Sequence, residues 1–149
     1  MTQEANCAGD GECKGMNPVG WFEIPVTDLD RAAKFYAAAL GFEVAQQEHF
    51  GHKFGFFPMG DCSSPGISGA LIHTGGKVQP STEGTTVYFR FPALDPVVAQ
   101  VEKAGGKICI PRTPIGMFGF MAQFIDSEGN RIGLHEPPAG PPPGESQAK

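Results

Sequence analysis

Few side chains in this 149-residue chain can ligate a metal or shuttle a proton: it has four histidines, four cysteines and sixteen acids. His49 and His52 form an H-x-x-H pair around Gly51. On a strand, where side chains alternate, that spacing sends the two rings to opposite faces. No further ligand is supplied nearby, so the pair reads as solvent-facing and not as a metal site. The cysteines stand at 7, 13, 62 and 109. Cys7 and Cys13 lack the close spacing of zinc ligands and read as free thiols, with a Cys7–Cys13 disulfide as the alternative. Cys109 alternates with Ile108 and Ile110 and has no basic residue directly beside it to favour a thiolate, which points to a structural role. The aromatic residues say more. Trp21, Phe54, Phe56, Tyr88, Phe118 and Phe120 all fall on candidate strands. Core packing is one use for them. The other is the lining of a small-molecule pocket, which needs apolar and aromatic faces with a few polar groups.

The elements that position these residues follow from hydrophobic periodicity. Gly20–Val26 alternates as a strand, and Pro25 within it predicts an edge or end position where a missing N–H is tolerated. Thr27 or Asp28 caps a helix whose stripe is Leu29, Ala32, Ala33, Tyr36 and Leu40, stopped by Gly41. Three strands are then predicted at Phe42–Glu48, Lys53–Met59 and Ile67–Thr74. The GGKVQPSTEG stretch, 75–84, reads as a linker. The order repeats after it, with a strand at Thr85–Phe91 and a helix entered through Asp95-Pro96 with the stripe Leu94, Val97, Val98 and Val101. Strands at Lys107–Pro111, Phe118–Ile125 and Arg131–Glu136 close it, the last two joined by the turn DSEGN. Sliding the chain by 65 places Leu29 on Leu94, Asp30 on Asp95 and Gly41 on Gly106, as a structural duplication requires.

Composition limits the function classes. The chain is 40% apolar, enough for one compact domain or two half-domains with a common core. A net charge of −5 without a run of like charge gives no patch to grip a phosphate backbone, so nucleic-acid binding is not expected. No apolar run approaches the roughly 18 residues of a membrane span. The first residues lack the basic start and apolar middle of a secretory signal, and the expectation is a cytoplasmic protein. Residues 1–17 read as a flexible leader, 18–136 as the folded domain with modules of about 18–74 and 85–136, and 137–149 as a proline-rich tail.

The segments FEIPVTDLDRAAKFYAAALGFEV and AGGKICIPRTPIGMFGFMAQFIDSEGNRIGLHE carry a family resemblance. With their V-x-D-L-D-R-A-x-x-F-Y and D-x-E-G-N-x-I-x-L patterns, they resemble the vicinal oxygen chelate superfamily of glyoxalase I, bleomycin-resistance proteins and extradiol dioxygenases. Within it, the chain is most similar to small bacterial proteins related to lactoylglutathione lyase. The resemblance implies an α+β fold of two tandem β-α-β-β-β modules, forming curled sheets around a shared cavity, often across a homodimer. It also implies a small-molecule ligand and, in metal-dependent members, one divalent ion held by first and last strands of both modules. If the chain is an enzyme, the implied class is a lyase or isomerase.

Carried over residue by residue, the usual ligand slots fall at Trp21, Thr86, Gly133 and within Gly69–Leu71. None offers a strong donor, so the expectation is no filled metal site, although a divalent metal held elsewhere is left open. One strand step further along stand Glu23, Tyr88, His135 and, less directly, His73. Glu23 and His135 are the candidate acid–base or ligand-orienting pair. Trp21, Phe56, Tyr88, Phe118 and Phe120 are the candidate substrate-binding residues. The loop PRTPIGMFGF, 111–120, is either a lid over the cavity or a plain connection. Two readings follow: a glyoxalase-related enzyme for a small metabolite with vicinal oxygens, or a metal-free protein that sequesters a ligand as bleomycin-resistance proteins do.

Overall fold

A computed structural model describes residues 18–60 and 66–140. Cys7 and Cys13, the leader and most of the proline-rich tail, with the expectations stated for them, lie outside the described residues. The first module runs β1 (Phe22–Pro25), α1 (Leu29–Leu40), β2 (Ala45–His49), β3 (His52–Phe56) and β4 (Gly69–His73). The second runs β5 (Tyr88–Arg90), α2 (Asp95–Lys103), β6 (Lys107–Pro114), a 3-10 turn (Gly116–Phe118), β7 (Phe120–Ile125) and β8 (Arg131–Glu136). The sheets have orders β1-β4-β3-β2 and β5-β8-β7-β6, the same topology displaced by four strands. The first strand of each module pairs parallel with its last, and the remaining pairs are antiparallel. The α+β fold of two tandem modules is thus established, with β1 on an edge as Pro25 requires.

Local chemistry sets the helix ends. Asp28, extended at its own φ and ψ, accepts the Arg31 N–H at 2.9 Å and caps α1. Asp95 does not cap α2, because it already lies within the first turn. The Leu94 N–H is satisfied instead by Glu136 Oε2 at 2.8 Å, from β8. Arg112 on β6 pairs with both oxygens of Glu136, at 3.0 and 2.8 Å, and its guanidinium stacks 3.4 Å over the Phe120 ring. The Arg112 bonds and the Leu94 N–H hold the Glu136 carboxyl below its usual range.

The two modules share one core. Leu29, Ala32, Phe35, Tyr36, Ala39 and Leu40 of α1 are buried, so Phe35 belongs to the stripe that periodicity alone gave to Ala33. Rings of α1 reach both sheets: Tyr36 lies 5.4 Å from Phe57 and 6.1 Å from Phe89, and Phe35 lies 6.1 Å from Phe124. Each such buried side chain contributes about 1.5–3 kcal/mol.

The two sequence patterns that carry the family resemblance meet at this seam. Glu128, in the DSEGN turn between β7 and β8, accepts the N–H groups of Thr27 and Asp28 at 3.0 and 2.8 Å and the Arg31 Nε–H at 2.7 Å. Asn130 donates to the Pro25 carbonyl at 2.8 Å, and the Tyr36 hydroxyl donates to Asp126 at 2.7 Å. Burial pushes the Glu128 carboxyl upward, but the bonds from Arg31, Asp28, Thr27 and Ser127 outweigh it and bring the pKa down to about 2. Burial, then the adjacent Asp126 charge, pushes the Tyr36 hydroxyl well above its ordinary value.

Candidate functional site

With the helices in the core, each sheet presents its other face outward. On the first sheet the register Glu23↔Ala70↔Phe56↔Ala45 fixes which residues share that face. Phe54 and Phe56 follow as a stacked pair, 5.7 Å apart and 12° from parallel, and Trp21 adds a third ring 6.1 Å from Phe56. On the second sheet, Tyr88↔Gly133↔Gln123 and Arg90↔His135↔Met121 are the matching rows.

The edge strands β1 and β5, one from each module, border a cleft of about 630 Å³. Trp21, Glu23 and Ile67 line it from the first module, and Thr86, Val87 and Tyr88 from the second. Trp21 is 42% exposed and Tyr88 44%, so both rings are available to a ligand. An adjoining cavity of about 420 Å³ lies on the far side of Tyr88, bounded by Arg90, Ile115, Met121 and His135. Glu23 borders the first cavity and His135 the second, with Tyr88 common to both.

His135 is oriented by a bond of 2.7 Å between Nε2 and the Phe118 carbonyl. A carbonyl only accepts, so Nε2 carries a proton, and in the neutral form of the ring the lone pair stands on Nδ1. Tyr88 is held by Gln123, whose amide donates to the phenol oxygen at 2.5 Å. Its ring lies over Gly133, where an added Cβ would stand 2.3 Å from the nearest ring carbon. A carboxylate therefore does not fit at position 133 while Tyr88 holds this place.

The expected ligand slots can now be judged by what fills them. Trp21 and Thr86 line the cleft, Gly133 is roofed by Tyr88, and Ala70, in the fourth slot, faces the cleft side with only a methyl group. Among the described residues no three His, Cys, Asp or Glu side chains converge on a point. The donors present do not fit the divalent ion that the resemblance implies.

Four expected placements change. His49 and His52 do not lie on one strand: they flank the β2–β3 turn as register partners, and so share a face instead of pointing to opposite ones. His73 pairs with Lys53 on the opposite face from Glu23 and borders a separate hollow beside Asp28 and Asp30. Phe118 is not on a strand: Gly116 and Gly119, at φ 65° and 96°, break the chain into a 3-10 turn there. Its ring is exposed, and its backbone carbonyl is what serves the site. Phe120 has the parity of Ala122 and Phe124, so its ring packs against the core under Arg112, away from the cleft. Segment 111–120 is largely strand β6 and this turn, and Ile115 walls the second cavity. Arg90 and Gln123 went unnoticed in sequence. Alternation from Tyr88 points to Arg90, whereas Gln123 emerges only from cross-strand register.

The bleomycin resistance protein-like N-terminal family model matches residues 19–57. The glyoxylase/bleomycin resistance protein/dioxygenase domain from Frankia sp. EAN1pec superimposes with a TM-score of 0.67 at 18% identity, over 85% of this chain and 96% of that one. TnmS3, an antibiotic binding protein from Streptomyces sp. CB03234, does so with a TM-score of 0.56 at 22% identity, over 83% and 98%. A glyoxalase I variant from Zea mays gives a TM-score of 0.61 at 19% identity over 80% of this chain, which spans 46% of the maize protein's length. No curated protein sequence matches the chain. With duplicated modules, a cleft between their first strands and these likenesses, the chain is a protein of the vicinal oxygen chelate fold.

Proposed function

We propose that the chain binds a small molecule with a flat, apolar body in the cleft between β1 and β5, without a metal and without transforming it. The observation that carries this reading is the Tyr88 ring lying on Gly133, with Trp21 and Thr86 at the other slots. Aromatic surface occupies the ground where ligating groups would stand, and the cleft volume suits a small ligand. The match of residues 19–57 to a bleomycin-resistance-like model and the likeness to an antibiotic binding protein support it. The reading includes a cytoplasmic homodimer whose second copy covers the outward sheet faces; exposed Trp21, Tyr88, Met117 and Phe118 support that part.

The oriented His135 favours a second reading, in which the chain is a glyoxalase-related lyase or isomerase for a metabolite with vicinal oxygens. Glu23 would take a proton from one carbon of the bound substrate and return it to the neighbouring carbon, while His135 Nδ1 accepts a hydrogen bond from a substrate hydroxyl. Two measurements decide between the readings: metal content of the purified protein, and turnover of the methylglyoxal–glutathione adduct with added nickel or zinc. The binding reading expects neither bound metal nor turnover. Stoichiometric, tightly held metal sinks it, and turnover lost in Glu23→Gln establishes the enzyme.

A further inference from the structure

We infer that the cavity beside the cleft is a carboxylate pocket, so that the molecule held against Trp21 and Tyr88 carries one carboxylate on its apolar body. This rests on the binding reading above and adds the class of ligand. The chain has four arginines. Three are engaged: Arg31 by Glu128, Arg112 by Glu136, and Arg131 by Thr86 and the Gly84 carbonyl. Arg90 is exposed, lines the cavity, and makes no hydrogen bond or ion pair among the described residues. A guanidinium presents a planar fork of donors that matches the two oxygens of a carboxylate.

The groups around Arg90 narrow the anion. The Tyr88 oxygen is already an acceptor for Gln123, which leaves the phenol proton to give to a ligand. His135, with Nε2–H committed to the Phe118 carbonyl, offers a lone pair at Nδ1 when neutral. A lone pair repels the further anionic oxygens of a phosphate but accepts from a hydroxyl or amide beside a carboxylate. Ile115 and Met121 wall the remainder with apolar surface, which lowers the local dielectric and strengthens the ion pair. Tyr88 borders both cavities, so a ligand whose ring lies against it reaches Arg90 with a side arm.

Calorimetric titration of the full chain with 1-naphthylacetate and with its neutral isostere 1-naphthylacetamide tests this. The acid is expected to bind about tenfold tighter or more, as a charge-assisted bond supplies. Arg90→Met removes the fork, and Arg90 has no internal partner, so the variant folds; it should bind acid and amide alike, at the wild-type affinity for the amide. Equal affinities in the wild type, or a preference that survives Arg90→Met, overturn the carboxylate pocket and leave the cleft reading standing. Failure of both compounds to bind overturns both.

Discussion

The seam between the modules and the face of the cleft are built from similar residue types to opposite effect. At the seam, Glu128, Asp126, Asn130 and Tyr36 are fully engaged with one another and with the β1–α1 turn, across about a hundred residues of sequence. At the cleft, Glu23 and Arg90 have no bond among the described residues, and His135 and Tyr88 are each fixed at one atom with another left over. A satisfied polar network holds structure, and a half-satisfied one in an open cavity is ready for a ligand. The two sequence patterns that carry the resemblance therefore report how the modules are clasped, not what they bind.

That contrast can be broken in order of expected effect. Glu128→Ala removes the acceptor of five hydrogen bonds from Thr27, Asp28 and Arg31 and should cost about 3 kcal/mol in urea unfolding. The same carboxylate gives a pH signature. Its folded pKa of about 2 lies below the ordinary 4.5, so its contribution is complete above about 4.5 and is lost as pH falls toward 2. Urea midpoints measured from pH 6 to pH 2.5 should fall less steeply in Glu128→Gln than in the wild type. Tyr36→Phe leaves a buried Asp126 oxygen one donor short and should cost about 1–2 kcal/mol on the same assay. Trp21→Ala, on the cleft, should change stability by under about 1 kcal/mol while weakening any ligand of the cleft. A Trp21 variant that unfolds as readily as Glu128→Ala would erase the distinction.

Most of the fold was legible in sequence because it rests on local signals. The stripe from Leu29 to Leu40, the Asp28 cap and the displacement by 65 each need only neighbouring residues or a repeat. Errors came where distant contacts decide. Leu94 is capped by Glu136, 42 positions away, which alternation cannot reveal. Phe120 shares its face with Ala122 and Phe124, and only their pairing with Leu134 and Ile132 of β8 makes that face the core side. Of the candidate site, alternation along the strands pointed to Trp21, Glu23, Tyr88 and His135, all of which lie at the two cavities. Its division into two chambers was not legible, because that depends on how Tyr88 lies across Gly133.

That ring placement also orders the substitutions by which such a cleft changes use. Gly133→Glu alone drives its Cβ into the Tyr88 ring, so a ligating acid enters only after position 88 has lost its ring. Removing the Tyr88 ring first takes away the nearest atoms that such a Cβ would meet. Two positions 45 apart in sequence thus form one steric unit, in which the side chain that fits at 133 depends on the residue at 88.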